Sequence, residues 1–205
     1  MLFTLGELVS NESAVSVVGS RSASDAGLRL ARTVASALIE RGITVLSGLA
    51  AGIDTAAHRA ALDVDGRTVA VIGTGINQSY PAANRQLQES IADKGLVVSQ
   101  FWPDAPPTKQ TFPMRNATMS AYGRATIVIE AGEKSGARIQ ARLAVEHGRP
   151  VILTDSVVQG TTWGSELVGK PGVAWVRGID EIIAHAVDAV SMGDRVAELL
   201  SMVGD

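Results

Sequence analysis

Four stretches of this chain set glycine beside small hydroxyl or charged residues: "GSRSAS" (Gly19 to Ser24), "SGLAAGID" (Ser47 to Asp54), "GTGINQSYP" (Gly73 to Pro81) and "EAGEKSGA" (Glu130 to Ala137). Glycines at such positions let backbone N–H groups approach an anion, and a following helix adds partial positive charge at its N-terminus. The chemistry that this pattern serves is phosphate binding. Arg21 and Lys134 add a cation to the first and last stretch. A fifth segment, "FPMRN" (Phe112 to Asn116), puts an aromatic ring, a proline and a guanidinium within one turn of chain. An aromatic face can stack a base while the arginine clamps its phosphate. This segment is expected to be a loop laid across the rim formed by the other four. A single glycine-rich turn is commonly no more than turn chemistry, and neither a complete dinucleotide fingerprint nor a P-loop is present. The coincidence of four such turns is what points to a site. Asp54 also suits a helix N-terminus electrostatically, and His58 one turn later reads as an ordinary helix residue.

The elements that must carry these stretches follow from hydrophobic periodicity. Apolar runs at Val15 to Gly19, Ile43 to Gly48, Thr68 to Gly73, Leu96 to Gln100, Ala125 to Ala131, Pro150 to Thr154 and Val173 to Val176 read as strands. Helical spacing covers Ala26 to Glu40, Thr55 to Leu62, Asn84 to Lys94, Asn116 to Tyr122, Gly136 to His147 and Ile179 to Val190. Strands alternating with helices imply right-handed βαβ units. The expected fold is therefore α/β: a single doubly wound, mostly parallel, extended Rossmann-like sheet with helices on both faces. Residues 1–12 are expected to be a lead-in, 13–191 the Rossmann-like domain, and 192–205 a C-terminal helix or tail. The apolar face of that last segment (Val196, Leu199, Leu200, Val203) would either pair two copies or cover the core, with the core preferred. In an open parallel sheet, ligands bind beyond the carboxyl ends of the strands, where all four glycine-bearing turns fall.

Bulk composition removes several alternatives. The 205 residues suffice for one sizeable domain. With no cysteine there is neither a disulfide scaffold nor a thiol nucleophile. The histidines, His58, His147 and His185, are too scattered for a zinc centre. No cofactor is implied. A formal charge of -3 argues against nucleic-acid binding by the whole surface and leaves a local basic pocket open. No apolar run approaches the roughly 18 residues of a membrane span, and the first ten residues lack a basic n-region. A cytoplasmic location is expected.

The motifs "VVGSRSAS", "VLSGLAAGIDTAAHRAAL", "RTVAVIGTGINQSYPAANRQL", "FPMRN" and "VIEAGEKSGARIQARLAVEHGRPV" resemble, in order and spacing, the DNA-processing protein A (Smf) family. The match runs from about Ser13 to Val151. The resemblance implies an extended Rossmann fold that binds single-stranded DNA in its strand-end pocket. It further implies delivery of that DNA to a strand-exchange recombinase in natural transformation, dimerisation, and no enzymatic reaction. The matching positions carry over as phosphate-contact candidates: Gly19, Ser20, Arg21, Ser47, Gly48, Phe112, Arg115, Asn116, Lys134, Ser135 and Gly136, joined by Gly52 of the second turn. Two family arginines are absent, replaced by Ala51 and Ala117, and Arg138 stands where a small residue is usual. Each lost phosphate contact weakens affinity and flattens its salt dependence.

Two other functions stay open on the sequence. One is a nucleotide-signal sensor using the same pocket. The other is a phosphoribohydrolase of the same superfamily, in which Gln140 would occupy the place of the catalytic glutamate. An amide cannot exchange a proton, so Glu130 or Glu133 would have to substitute.

Overall fold

Apolar runs of four or five residues, buried along their whole length, build the sheet, as expected of strands covered on both faces. The computed structural model describes residues 1–203. In chain order the elements are β1 (Phe3–Gly6), β2 (Ala14–Val18), α1 (Asp25–Ile39), β3 (Thr44–Ser47), α2 (Ile53–Asp63) and β4 (Thr68–Val71). A 3-10 turn (Ala82–Asn84) leads into α3 (Arg85–Lys94), followed by β5 (Leu96–Ser99), α4 (Thr111–Tyr122), β6 (Ala125–Val128) and α5 (Gly136–Glu146). The chain continues through β7 (Val151–Thr154), α6 (Asp155–Gly160), α7 (Thr162–Leu167), β8 (Val173–Val176) and α8 (Ile179–Val203).

The strands form one eight-stranded sheet in the order β1-β5-β4-β3-β2-β6-β7-β8. All pairs are parallel except β1 with β5. This is the doubly wound arrangement, with β2 at the centre beside β3 on one side and β6 on the other. Val15, Val17, Val45 and Ile127 point to the face covered by α1, α2 and α8. Val18, Leu46, Val71 and Val128 point to the opposite face, under α4 through α7. A smaller cluster around Ala70, Val97, Leu87 and Ile91 seats α3.

Five elements, β1, α4, α6, α7 and α8, differ from the sequence expectation. The lead-in contributes strand β1, held by antiparallel pairing from Phe3 opposite Ser99 to Gly6 opposite Leu96. A four-residue edge strand has no apolar run to announce it. Helix α4 begins at Thr111 rather than Asn116, so "FPMRN" is helix and not loop. Pro113 lies in the first turn, where its missing N–H would have no intrahelical partner anyway. The Thr108 hydroxyl starts that turn by accepting a hydrogen bond from Thr111 N at 3.2 Å. Helices α6 and α7 have six residues each, too few to show a period. The Thr161 side chain caps α7 by accepting from Gly164 N at 3.0 Å.

Helix α8 runs without a break across the boundary expected at residue 191. Gly193 lies against Arg124, whose Cδ would stand 2.8 Å from an added Cβ. The Arg124 guanidinium and Ser13 hydroxyl both bond Asp194, at 3.4 and 3.1 Å. Beyond that tie the apolar face does not cover the core, because Val196 and Leu199 are 50% and 62% exposed. The Leu200 and Val203 side chains lie outside the described residues.

The segment between β1 and β2 is clamped by Glu12, whose carboxylate is almost wholly buried. It accepts from Arg67 Nε at 2.5 Å, Tyr122 Oη at 2.5 Å and Thr44 Oγ1 at 2.8 Å. Glu12→Ala would leave Arg67 Nε and two hydroxyls without this acceptor, while Arg67 Nη2 keeps the Glu7 carbonyl. Removing one partner of such a buried pair costs roughly 3–5 kcal/mol. We expect urea melts of Glu12→Ala to give an unfolding free energy lower by roughly 3–5 kcal/mol, read as a lower midpoint at an unchanged slope.

Candidate functional site

The chain leaves β2 toward β3 on one side, while β6 lies on the other, and a crevice opens between the two diverging loops. A cavity of about 500 Å³ occupies it. Gly19, Ser20 and Arg21 of the β2–α1 loop form one wall, and Lys134, Ser135 and Gly136 at the start of α5 form the other. Phe112, Arg115 and Asn116 of α4 line it as well. An adjoining cavity of about 180 Å³ shares Arg21, Phe112 and Arg115 and adds Gly48, Ala51, Gly73, Tyr80 and Pro81.

The two main walls are fastened to each other. Ser20 N donates to Glu130 O at 2.7 Å. The Glu130 carboxylate accepts from Ser24 N at 2.9 Å and from Ser24 Oγ at 2.5 Å. Ser24 in turn caps α1 by accepting from Gly27 N at 3.0 Å. Gly19 sits so close to the opposite loop that an added Cβ would stand 2.7 Å from Glu130 O. Gly132 and Gly136 are different: a Cβ at either would meet nothing within 4 Å, and neither has a positive φ. The fold does not need glycine there. Glycine there leaves a bare backbone rim beside the capped start of α5, whose Ser135 accepts from Ala137 N at 3.2 Å.

The β3–α2 turn has spent its donors internally. Gly48 N and Ala50 N both donate to Asp54 Oδ2, at 3.1 and 3.3 Å, on either side of Leu49 with its left-handed φ of 59°. This small anion-holding turn is filled by the chain's own carboxylate. Burial pushes the Asp54 pKa up, against the opposing charge of Arg115 and those backbone donors. Ser47 is fully buried below, its hydroxyl donating to Val17 O at 2.7 Å. Gly52, at φ 77°, packs under the Ser20 carbonyl. Neither Ser47 nor Gly52 lines either cavity, because both are used in joining β3 to its neighbours; Gly48 reaches only the smaller one. The Gly73–Pro81 turn is likewise tied back, with Gly75 N bonded to Ala105 O at 2.8 Å and Asn77 N to Pro103 O at 2.9 Å.

Arg115 is buried rather than spread over the rim. Its Nη1 donates to Gly48 O at 2.5 Å and Val71 O at 2.7 Å, and its Nε donates to Asn116 Oδ1 at 3.0 Å. It braces the ends of β3 and β4 and shows the rest of its guanidinium to both cavities. Desolvation lowers its pKa, Asp54 raises it and Arg21 lowers it again. Arg21 stands over the Phe112 ring at 5.3 Å. Three cations (Arg21, Arg115, Lys134) thus face one carboxylate, Asp54, among the lining residues of a chain whose net charge is -3. Sequence reasoning did not place Met119 in these walls, whereas Gln140, set at the position of a catalytic glutamate, and Tyr80, carried in the Gly73 to Pro81 turn, do line them. Gln140 lies one turn beyond Gly136 on α5, so helical spacing held the signal.

His58 is not part of the cavities. It is fully buried, with Nδ1 2.7 Å from Thr68 Oγ1 and Nε2 without a partner. Burial, reinforced by the Arg115 charge, pushes its pKa from 6.5 down to about 3. Below pH 6.5 the unfolded chain takes up a proton that the fold refuses, so stability present above 6.5 is lost progressively toward pH 3. The effect is at most about 1.4 kcal/mol per pH unit. His58→Gln should show a shallower loss of stability than the parent when urea melts are compared between pH 6.5 and 4.

An open doubly wound sheet with a cation-lined cavity over its switch point defines a Rossmann-like α/β protein with a strand-end site. More specifically, the chain belongs to the DNA recombination-mediator protein A family, whose model matches residues 1–187. It is 45% identical to protein Smf of Synechocystis over 74% of this chain and 39% of that protein. It is 40% identical to DNA processing protein DprA of Streptococcus pneumoniae over 83% of this chain and 61% of that protein. The chain therefore spans 39% to 61% of the length of these curated relatives. A solved structure of DNA processing protein A from Helicobacter pylori, described for its single-stranded DNA binding mode, superposes with a TM-score of 0.80 at 25% identity. That match covers 91% of this chain and 86% of the other.

Proposed function

We propose that this chain binds single-stranded DNA, holding backbone phosphates in the strand-end cavity between Arg21, Lys134 and the bare glycine rim at the start of α5. The observation that carries the proposal is the local excess of cations over a single, internally engaged carboxylate within an otherwise acidic chain. Family membership and the single-stranded DNA binding described for the Helicobacter pylori relative support it. Delivery of the DNA to a strand-exchange recombinase during natural transformation, and self-association, are the parts of the proposal that rest on family membership alone.

Binding rather than catalysis is also favoured by the fate of the acidic groups. Glu130 is bonded twice to Ser24. Glu133 accepts from Thr162 N at 3.0 Å. Asp54 is bonded to two backbone N–H groups. Gln140 is an amide. No carboxylate among the cavity's described lining residues is left poised for proton transfer.

Where the family arginines are missing, Ala51 is exposed beside the smaller cavity and Ala117 is half-buried on α4. The cationic contacts then fall to Arg21, Lys134 and the inner Arg115. Each phosphate neutralised on a single strand contributes about -0.7 to the slope of log affinity against log salt, so a slope near -2 is expected for three. Fluorescence anisotropy with labelled oligo-dT over a salt series measures this. Arg21→Ala and Lys134→Ala should each weaken binding and flatten the slope by about 0.7, while Arg195→Ala on exposed α8 should change neither. Absence of binding at low salt, or an equal effect of Arg195→Ala, would overturn the proposal.

A further inference from the structure

We infer that the outer face of α5 is a second phosphate-contact site, a short cationic track of Arg138 and Arg142 that carries a single strand of DNA away from the strand-end cavity. The inference rests on the single-stranded DNA reading above and extends it to a surface that the cavity contacts leave unused.

Helix α5 starts at the cavity rim and runs back along the sheet from it, joining β6 to its parallel neighbour β7. Its buried stripe is Ala137, Gln140, Ala141 and Ala144, of which Ala137 and Gln140 reach the cavity. Arg138 and Arg142 are exposed and four residues apart, hence on one outer face. Lys134, in the cavity wall, precedes Arg138 by the same interval. Four residues of helix rise about 6 Å, a step comparable with that between neighbouring phosphates on an extended strand. A strand held at Lys134 and laid along α5 would therefore meet a further cation at successive phosphates.

These cations are set against the electrostatics of the helix itself. The first turn of a helix favours acidic side chains. Helices α1, α2 and α8 follow that rule with Asp25, with Asp54, and with Asp180 and Glu181. Helix α5 has no acidic residue in its first turn and carries Arg138 there instead. Such a placement is unfavourable in the free protein and is relieved when an anion lies beside it. Glu133, the acidic residue next to Lys134, is engaged elsewhere, accepting from Thr162 N at 3.0 Å.

The two nearer cations are uncommitted. Neither Lys134 nor Arg138 makes an ion pair or a side-chain hydrogen bond among the described residues. Arg142 Nη1 lies 3.2 Å from Glu146 Oε1, and both side chains are more than half exposed. An exposed pair of this kind contributes little, so Arg142 can exchange the carboxylate for a phosphate. Glu146 is the single acidic residue of α5 and lies in its last turn, which ends the track. Beyond it Arg149 is used internally, donating to Ala121 O at 3.3 Å.

The test follows the salt dependence of binding for labelled oligo-dT probes of about 4 to about 16 nucleotides, the span of site sizes for compact single-strand binders. The shortest probe occupies the cavity alone and should give a slope of about -2, while the longest should approach about -3.5 as two more cations are engaged. Arg138→Ala should weaken the longest probe by roughly threefold at low salt, the size of one exposed ion pair. It should also flatten that probe's slope by about 0.7 and leave the shortest probe unchanged. Glu146→Gln, which releases Arg142, should strengthen binding of the longest probe only, and it keeps the test decisive if Arg138→Ala disturbs the fold. Arg32→Ala on exposed α1 is the control and should alter neither probe. Arg138→Ala should melt at or above the wild-type temperature, because it removes a cation from a helix N-terminus. A slope that does not change with probe length, or equal losses from Arg138→Ala and Arg32→Ala, would overturn the track while leaving phosphate binding in the cavity intact. Failure of every probe to bind the wild-type chain would instead remove the DNA-binding reading itself.

Discussion

A buried guanidinium holds the functional end of this molecule together. Arg115 reaches from the first turns of α4 to the carbonyls that end β3 and β4, and those bonds fix the helix against the strand ends. A cation out of water is costly unless its charge and donors are met. Here two carbonyls, the Asn116 side chain and the nearby Asp54 meet them. Gly48 must lack a side chain because the guanidinium occupies the place where a Cβ would stand. Asp54 in its turn holds the backbone of the β3–α2 loop in the conformation that presents the Gly48 carbonyl.

That arrangement divides the glycine-rich loops into two kinds. The β3–α2 and β4–α3 loops have used most of their donors on the protein itself and act as the frame. The β2–α1 loop and the segment before α5 are clipped together by Glu130 and Ser24 and leave Arg21, Lys134 and a bare glycine edge facing the cavity. The charge available to a ligand is concentrated in a crevice with low-dielectric walls. This is compatible with the proposed anion site in an acidic chain, since field lines focus in such a crevice whatever the net charge of the surface. The proposed function follows from that division. The rigid frame supplies position, and the open walls supply contact.

Much of the fold was legible in the sequence. The seven apolar runs become the strands β2 to β8, and the alternation with helices sets the parallel order. What escaped was short or held from outside. Strand β1 is an edge ribbon defined by its pairing with β5, and α6 and α7 are single turns and a half. Helix α4 starts early because a threonine turn and a proline tolerated at that depth make a start where the composition reads as loop. The outer part of α8, beyond the tie at Asp194, exposes Val196 and Leu199. Periodicity reports a helical face and not what lies against it.

For the site, residue types and spacing alone determined which loops carry glycine, hydroxyl and cation, and hence the expectation of a phosphate-binding edge. They could not determine which donors remain free. Ser47 and Gly52 match the motif as well as Ser20 and Gly136 do, yet the first two are consumed beneath the sheet edge and the last two line the cavity. Arg115, read as a surface clamp, is an internal brace, and Tyr80 enters the walls from a loop 32 residues away in sequence from Phe112. A hydrogen-bonding group satisfies whichever partner the fold brings within about 3 Å, and that distance is set by the packing of elements far apart in the chain. The sequence chose the chemistry; only the three-dimensional arrangement decided where it is spent on the protein and where it is left for a ligand.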